Sequence, residues 1–379
     1  MTTSDEECRR ARAYLLRVAE PPAVALTALI GRHGPVEAAA LVRAGETAAK
    51  VRDETSARRL DDRVDEDLAA AERAGARLVV PEDDEWPAWA LLALDQAAAR
   101  GLRWACPPIA LWARGSGRLT DVCDRAVSVV GARAATGYGE HVAAEFGYGL
   151  AGAGWTVVSG AAYGIDGAAH RGALAAEGST VAILGCGLDV GYPAGHATLL
   201  ERIAEHGLVL SEYPPGTPPA RHRFLVRNRL IASLSGGTVL VEAGVRSGAR
   251  NTAASATALG RELMAVPGPI TSAMSLGCHE LLRTGAAIPV GSVAEILESV
   301  GRLGGDQPPR PAAPAKPTDV LGAEALRVHG ALGRSGRTSE RIAIDSGVPI
   351  DRVRALLPEL ELTGLARRCE DGWRQATAS

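Results

Sequence analysis

The chain has 379 residues, 46% of them hydrophobic, and a formal net charge of −3 at pH 7. Two or three soluble domains are expected, and a uniformly basic nucleic-acid glue is excluded, so any polyanion site must be a local patch. No apolar run reaches bilayer-spanning length, and the polar, acidic start from Met1 to Glu7 is unlike a secretory or transit peptide.

The 6 cysteines are scattered with no C-x-x-C pair, which argues against a zinc site or disulfide framework and for the reduced cytoplasm. Residues 1–75 read as a small helical domain. Leu26 to Ile30 is a helix stopped by Gly34-Pro35, Val36 to Ala44 is another, and Asp61 to Ala74 is an amphipathic helix closed by Gly75. Arg77 to Val80 is strand-like. Trp86, Trp89, Trp104 and Trp112 follow, read as anchors between packed segments, and Gly115-Ser116-Gly117 reads as a boundary.

From Val127 to Val290 the pattern is regular. Apolar runs at Val127–Val130, Thr156–Val158, Val181–Leu184, Leu208–Leu210, Thr238–Val241, Glu262–Val266 and Ala287–Val290 alternate with alanine-rich helical segments. This predicts an α/β domain over 76–302, with a doubly wound, mostly parallel, Rossmann-like sheet covered on both faces. A proline-rich linker is predicted over 303–318. Three helices and a hairpin over 319–379 have the order of a winged helix.

Ligands of such sheets sit beyond the carboxyl ends of the strands, so the residues that follow each strand carry the information. These are Gly131-Ala132-Arg133, Ser159-Gly160 with Gly164, Gly185 to Asp189, Ser211-Glu212-Tyr213, and Glu242 to Arg250, which contains Ser247, Gly248 and Arg250. The turn from Ser159 into the next helix is expected to offer main-chain N–H groups and a helix dipole to an anion, with Asp166 and His170 on one helical face. Arg221-His222-Arg223-Phe224-Leu225-Val226-Arg227-Asn228-Arg229 concentrates positive charge in a mildly acidic chain. Leu225, Ile231 and Leu234 are expected to face the sheet, leaving Arg223, Arg227 and Asn228 toward the crevice or solvent. Guanidinium forks match phosphate oxygens, and Phe224 offers a face on which a base can stack. A dinucleotide fingerprint and a Walker loop are both absent.

The motifs Ser159-Gly160-x-Ala162-x-Gly164-Ile165-Asp166-x-Ala168-Ala169-His170, Leu210 to Gly216, Arg227-Asn228-Arg229-x-Ile231-Ala232, Glu242-Ala243…Ser247-Gly248…Thr252-Ala253 and Ala265-Val266-Pro267-Gly268 resemble, in order and spacing, the DNA-processing protein A family. The resemblance implies a bacterial cytoplasmic protein that binds single-stranded DNA and loads the RecA recombinase in natural transformation. It further implies a homodimer, an extended Rossmann domain, a sterile-alpha-motif-like N-terminal module and a winged helix, with no metal or nucleotide cofactor. Carried onto this chain, the family's first-turn arginine is Arg133. Its basic residue three before the aromatic is Arg221, the aromatic is Phe224, and the strand-end pair is Ser159 and Gly160. The chain departs from the family in lacking a basic residue after Tyr192-Pro193, and in carrying Arg250-Asn251 where an apolar pair is common.

The alternative is a nucleotide hydrolase similar to the lonely-guy/lysine-decarboxylase-like Rossmann family. That family requires Pro-Gly-Gly-x-Gly-Thr directly after a strand. Here Gly236-Gly237-Thr238 precedes its strand, and the turn after it is Glu242-Ala243-Gly244.

Overall fold

A computed structural model of the chain describes residues 3–301, 318 and 321–376. The predicted linker, 303–318, lies outside the described residues except for Thr318. The chain divides into two compact units, Met1–Pro308 and Pro309–Ser379.

The larger unit is built on a nine-stranded sheet. Its strands are β1 (Ala76–Val79), β2 (Leu111–Arg114), β3 (Ala126–Val130), β4 (Thr156–Ser159), β5 (Thr180–Leu184), β6 (Leu208–Ser211), β7 (Gly237–Leu240), β8 (Glu262–Ala265) and β9 (Ile288–Pro289). The order is β1-β2-β6-β5-β4-β3-β7-β8-β9. From β6 to β9 all neighbours pair parallel, while β1 and β2 add an antiparallel edge. All seven apolar runs become strands: those of the sheet interior are short, mostly apolar and buried on both faces, whereas the edge strand β9 is exposed. The chain winds outward from β3 to β6, then returns to β7 on the other side of β3. A crevice opens at such a switch point, beyond the carboxyl ends of β3 and β7.

Two expectations change here. No strand is expected at Leu111–Arg114 from the sequence, yet β2 pairs antiparallel with both β1 and β6. The expected boundary at Gly115 is instead a tight crossing: Gly115 has φ +120°, and any Cβ there would collide with the Gly207 carbonyl. Trp112 is buried as an anchor, whereas Trp89 is 83% exposed and anchors nothing.

The N-terminal helices are Thr3–Val18, Val24–Ala44, Ala49–Thr55 and Val64–Arg73. Gly34, with φ 74° and ψ 164°, interrupts the second where the sequence placed its stop. These helices share one apolar core with the sheet: Tyr14, Leu15 and Leu26 pack in the same cluster as Trp112, Leu184 and Ile203. Ion pairs reinforce the junction, with Arg9 on Asp83 at 2.6 Å and Arg12 on Glu82 at 2.6 Å.

The smaller unit has helices Ala323–Ala331, Ser339–Ser346 and Ile350–Leu362, then an antiparallel hairpin of β10 (Ala366–Cys369) and β11 (Gly372–Gln375). Val328, Ile342, Val353 and Leu357 form its core. Gly347, at φ 65°, closes the middle helix. No helix among the described residues is long and apolar enough to cross a membrane.

Candidate nucleic-acid interface

Three segments enclose a cleft of about 870 Å3 at the switch point. They are the turn Gly131–Ala134 after β3, the helix Arg221–Ser233, and the turn Gly244–Gly248 after β7. The helix lies on the sheet through Leu230 and Ile231, both buried. Its amino-terminal half reaches the cleft, because the proline-rich loop Pro214–Pro219 delivers the chain to the rim.

Arg133, Arg221, Phe224, Arg227, Asn228, Ser247 and Gly248 all line this cleft, so these seven of the predicted residues share one groove. Arg246 joins them. It stands in the strand-end run Glu242 to Arg250 and is not among the expected site residues, although an arginine directly before Ser-Gly at a strand end is a readable signal. Arg133, Arg221 and Arg246 are exposed, and none pairs with a carboxylate among the described residues. The Arg133 guanidinium lies 5.2 Å from the Phe224 ring centroid, and the Tyr192 ring centroid is also 5.2 Å away.

Arg227 is 5% exposed. Its Nη1 donates to the Ile183 carbonyl, while its Nε has no partner. Burial pulls its pKa down to about 10, with Asp166 opposing and Arg133 adding to the fall. It therefore remains a cation at neutral pH. Among the described residues, four guanidiniums thus line this cleft and Asp166 is its one carboxylate lining residue.

Asp166 explains why the glycine-rich turn does not behave as expected. Its Oδ2 accepts from the main-chain N–H groups of Gly160 (3.1 Å) and Ala162 (3.4 Å). Glu242 likewise accepts from Thr136 N at 2.9 Å, and Asp189 from Gly216 N at 2.9 Å. Three strand-end turns are thus capped by the chain's own carboxylates, so side chains, not backbone nests, are left to meet an anion.

Several predicted site residues serve other ends. Ser159 is fully buried and donates to the Val129 carbonyl at 2.6 Å, tying adjacent strands. His170 is fully buried with Nδ1 2.7 Å from Thr180 Oγ1, and burial, helped by His196, pushes its pKa down to about 3. It is neutral and faces the core. Arg229 is 1% exposed and forks onto Glu212 at 2.7 and 2.8 Å, with a further bond to the Cys106 carbonyl. Arg250 pairs with Glu280 at 2.9 Å and donates to Val245 O, bracing the turn that carries Arg246. Arg223 turns from the crevice onto Glu20 at 2.7 Å, and Leu225, expected against the sheet, is 46% exposed.

Two glycines matter for the space they leave. Gly164, at φ +73°, packs on the carbonyls of Ala132 and Arg133, so it sets the turn that presents Arg133. A Cβ at Gly160 would collide with the Arg227 guanidinium. Gly160→Ala is accordingly expected to displace Arg227 and weaken oligonucleotide binding roughly tenfold, on the scale of one charge-assisted contact. Titration of the purified variant by fluorescence anisotropy checks this, and wild-type affinity would remove Arg227 from the site. Among the described residues, no cluster of His, Cys, Asp or Glu is placed to hold a metal ion.

These features define a class: an α/β protein with a guanidinium-lined crevice at the switch point of an extended Rossmann-like sheet, followed by a winged helix. Residues 77–301 match the family described as DNA recombination-mediator protein A, and residues 308–372 match the DprA winged helix domain. The chain belongs to this DNA-processing family. It is 53% identical over 369 residues to the putative DNA processing protein DprA of Mycobacterium tuberculosis strain H37Rv, spanning 96% of this chain and 94% of that one. The DNA processing protein DprA of Bacillus subtilis is 33% identical over 233 residues, 62% of this chain and 74% of the relative. The crystal structure of DNA processing protein A from Streptococcus pneumoniae superposes with a TM-score of 0.64 at 29% identity, covering 77% of this chain and 98% of that one.

Proposed function

We propose that this protein binds single-stranded DNA in the switch-point cleft without chemically altering it, shields the strand, and passes it to the RecA recombinase in the cytoplasm during transformation or recombination. The observation that carries this reading is the convergence of Arg133, Arg221, Arg227 and Arg246 with the Phe224 ring in one open groove. Guanidiniums neutralise phosphates whatever the sequence, and an aromatic face accepts any base, which is the combination single strands require. The hydrolase alternative fits less well. A nucleotide phosphate would need free main-chain donors, and at three strand-end turns those donors already face Asp166, Glu242 or Asp189.

A homodimer belongs to the same reading. Val245 (57% exposed), Ile270 (88%) and Leu276 (44%) present apolar surface on segments that follow β7 and β8, and burying it against a second copy would remove it from water.

The test of DNA binding is its salt dependence. With three exposed arginines each neutralising one phosphate, the logarithm of affinity for oligothymidine should fall against log salt with a slope of about −2. Arg133→Ala, Arg221→Ala and Arg246→Ala should each flatten that slope by about 0.7. A salt-independent interaction, or release of free base from a nucleoside monophosphate, would overturn the proposal.

A further inference from the structure

We propose that Glu20, in the N-terminal helical segment, is a positioning residue for the nucleic-acid cleft: its carboxylate clamps the first turn of the helix Arg221–Ser233, and so sets where Arg221 and Phe224 point. The inference rests on reading the cleft as a single-strand site.

The first turn of that helix is poorly supported by its own sequence. Its N-cap is Ala220, which makes no side-chain capping bond, and no acidic residue stands in the first turn. Arg221 and Arg223 instead place cations at the positive end of the helix dipole, where a carboxylate is favoured and a cation is not. The missing carboxylate comes from a residue 203 positions away.

Glu20 accepts from Arg223 Nε at 2.7 Å and Nη2 at 3.1 Å, and its other contacts are Arg58 Nη2 at 2.6 Å and His222 Nε2 at 3.1 Å. Partial burial works against ionisation, yet the bonds from Arg223, Arg58 and His222 hold this carboxyl down at about 2. On the same guanidinium, Arg223 Nη1 donates to the Pro218 carbonyl, and the group lies 5.2 Å from the Tyr213 ring centroid. Arg223 is thus held from several directions. Each residue advances about 100° around an α-helix, so fixing 222 and 223 fixes the directions of 221 and 224 on either side. The N-terminal helices therefore act on the cleft without lining it.

The sign of one substitution separates this from simple electrostatics. Removing a negative charge near a polyanion site should tighten binding if Glu20 acts only through its field. If Glu20 positions the turn, Glu20→Gln should weaken oligothymidine binding by the full-length protein roughly fivefold through lost preorganisation. Arg223→Lys keeps the charge but loses the fork, and should show a similar fall. Arg58→Ala also removes a Glu20 partner but leaves the link to the helix intact, so its affinity should stay near wild type. In an Arg221→Ala/Phe224→Ala background, Glu20→Gln should add little, because both side chains it orients are already gone. A loss of equal size in that background would mean general destabilisation and overturn the inference. So would wild-type or tighter binding by both Glu20→Gln and Arg223→Lys. Failure of the wild-type protein to bind oligothymidine would instead overturn the reading of the cleft.

Discussion

Phe224→Ala is expected to weaken binding of single-stranded oligonucleotides by about 1–3 kcal/mol, the range for loss of one base–aromatic stack. That is roughly a five- to 150-fold rise in Kd. The ring is partly exposed, lines the cleft, and has the Arg133 guanidinium and the Tyr192 ring each 5.2 Å from its centroid. A Cβ at Gly185 would approach its Cδ1 to 2.8 Å, so the end of β5 lacks a side chain where the ring needs room. Stacking releases few counterions, so the salt slope should remain that of the wild type while affinity falls. Parallel titrations at several salt concentrations check both quantities. A slope that flattens along with affinity would mean the ring contributes only by orienting Arg133.

Arg229→Ala is expected to act on the fold. Its guanidinium and the Glu212 carboxylate are 1% and 4% exposed and bonded at 2.7 Å. Removing the cation leaves a buried carboxylate without its partner, which costs about 3–5 kcal/mol. Thermal denaturation should show Tm lowered by on the order of 10 °C. Replacing the pair together, Arg229→Met with Glu212→Leu, should recover much of that loss, since two apolar side chains leave no charge uncompensated. If Arg229→Ala kept its Tm and lost DNA affinity instead, the scaffold role assigned to Arg229 would be wrong. The contrast with Arg227, two positions earlier, is instructive. Both are buried, but Arg229 is matched by a carboxylate, whereas Arg227 lines the cleft with its Nε unpaired.

The alternation of apolar runs with helical segments was legible because strand period, turn glycines and helix stops are local properties. The seven runs from Val127 to Val290 and the break at Gly34-Pro35 needed no distant partner to be recognised. Strand β2 was not legible for the opposite reason. Leu111–Arg114 follows a proline pair in a tryptophan-rich stretch, and becomes a strand through pairing with β1 and β6. The site divided along the same line. That residues after the strands meet at one rim follows from parallel topology, and Arg133, Arg221, Phe224, Arg227, Asn228, Ser247 and Gly248 do share a cleft.

By itself, the sequence determined the parallel α/β scaffold, the winged helix and the stretch in which the cations of the cleft would lie. Those follow from periodicity and chain order, which act over a few residues. Only the tertiary structure decided which arginines remain free for a phosphate. Within Arg221 to Arg229 the same side chain becomes a rim cation, a tether to Glu20, a half-satisfied buried charge or a buried ion pair. The choice depends on whether a carboxylate from elsewhere in the chain reaches it, and that Coulombic partnership is set by contact in space, to which spacing along the chain is blind.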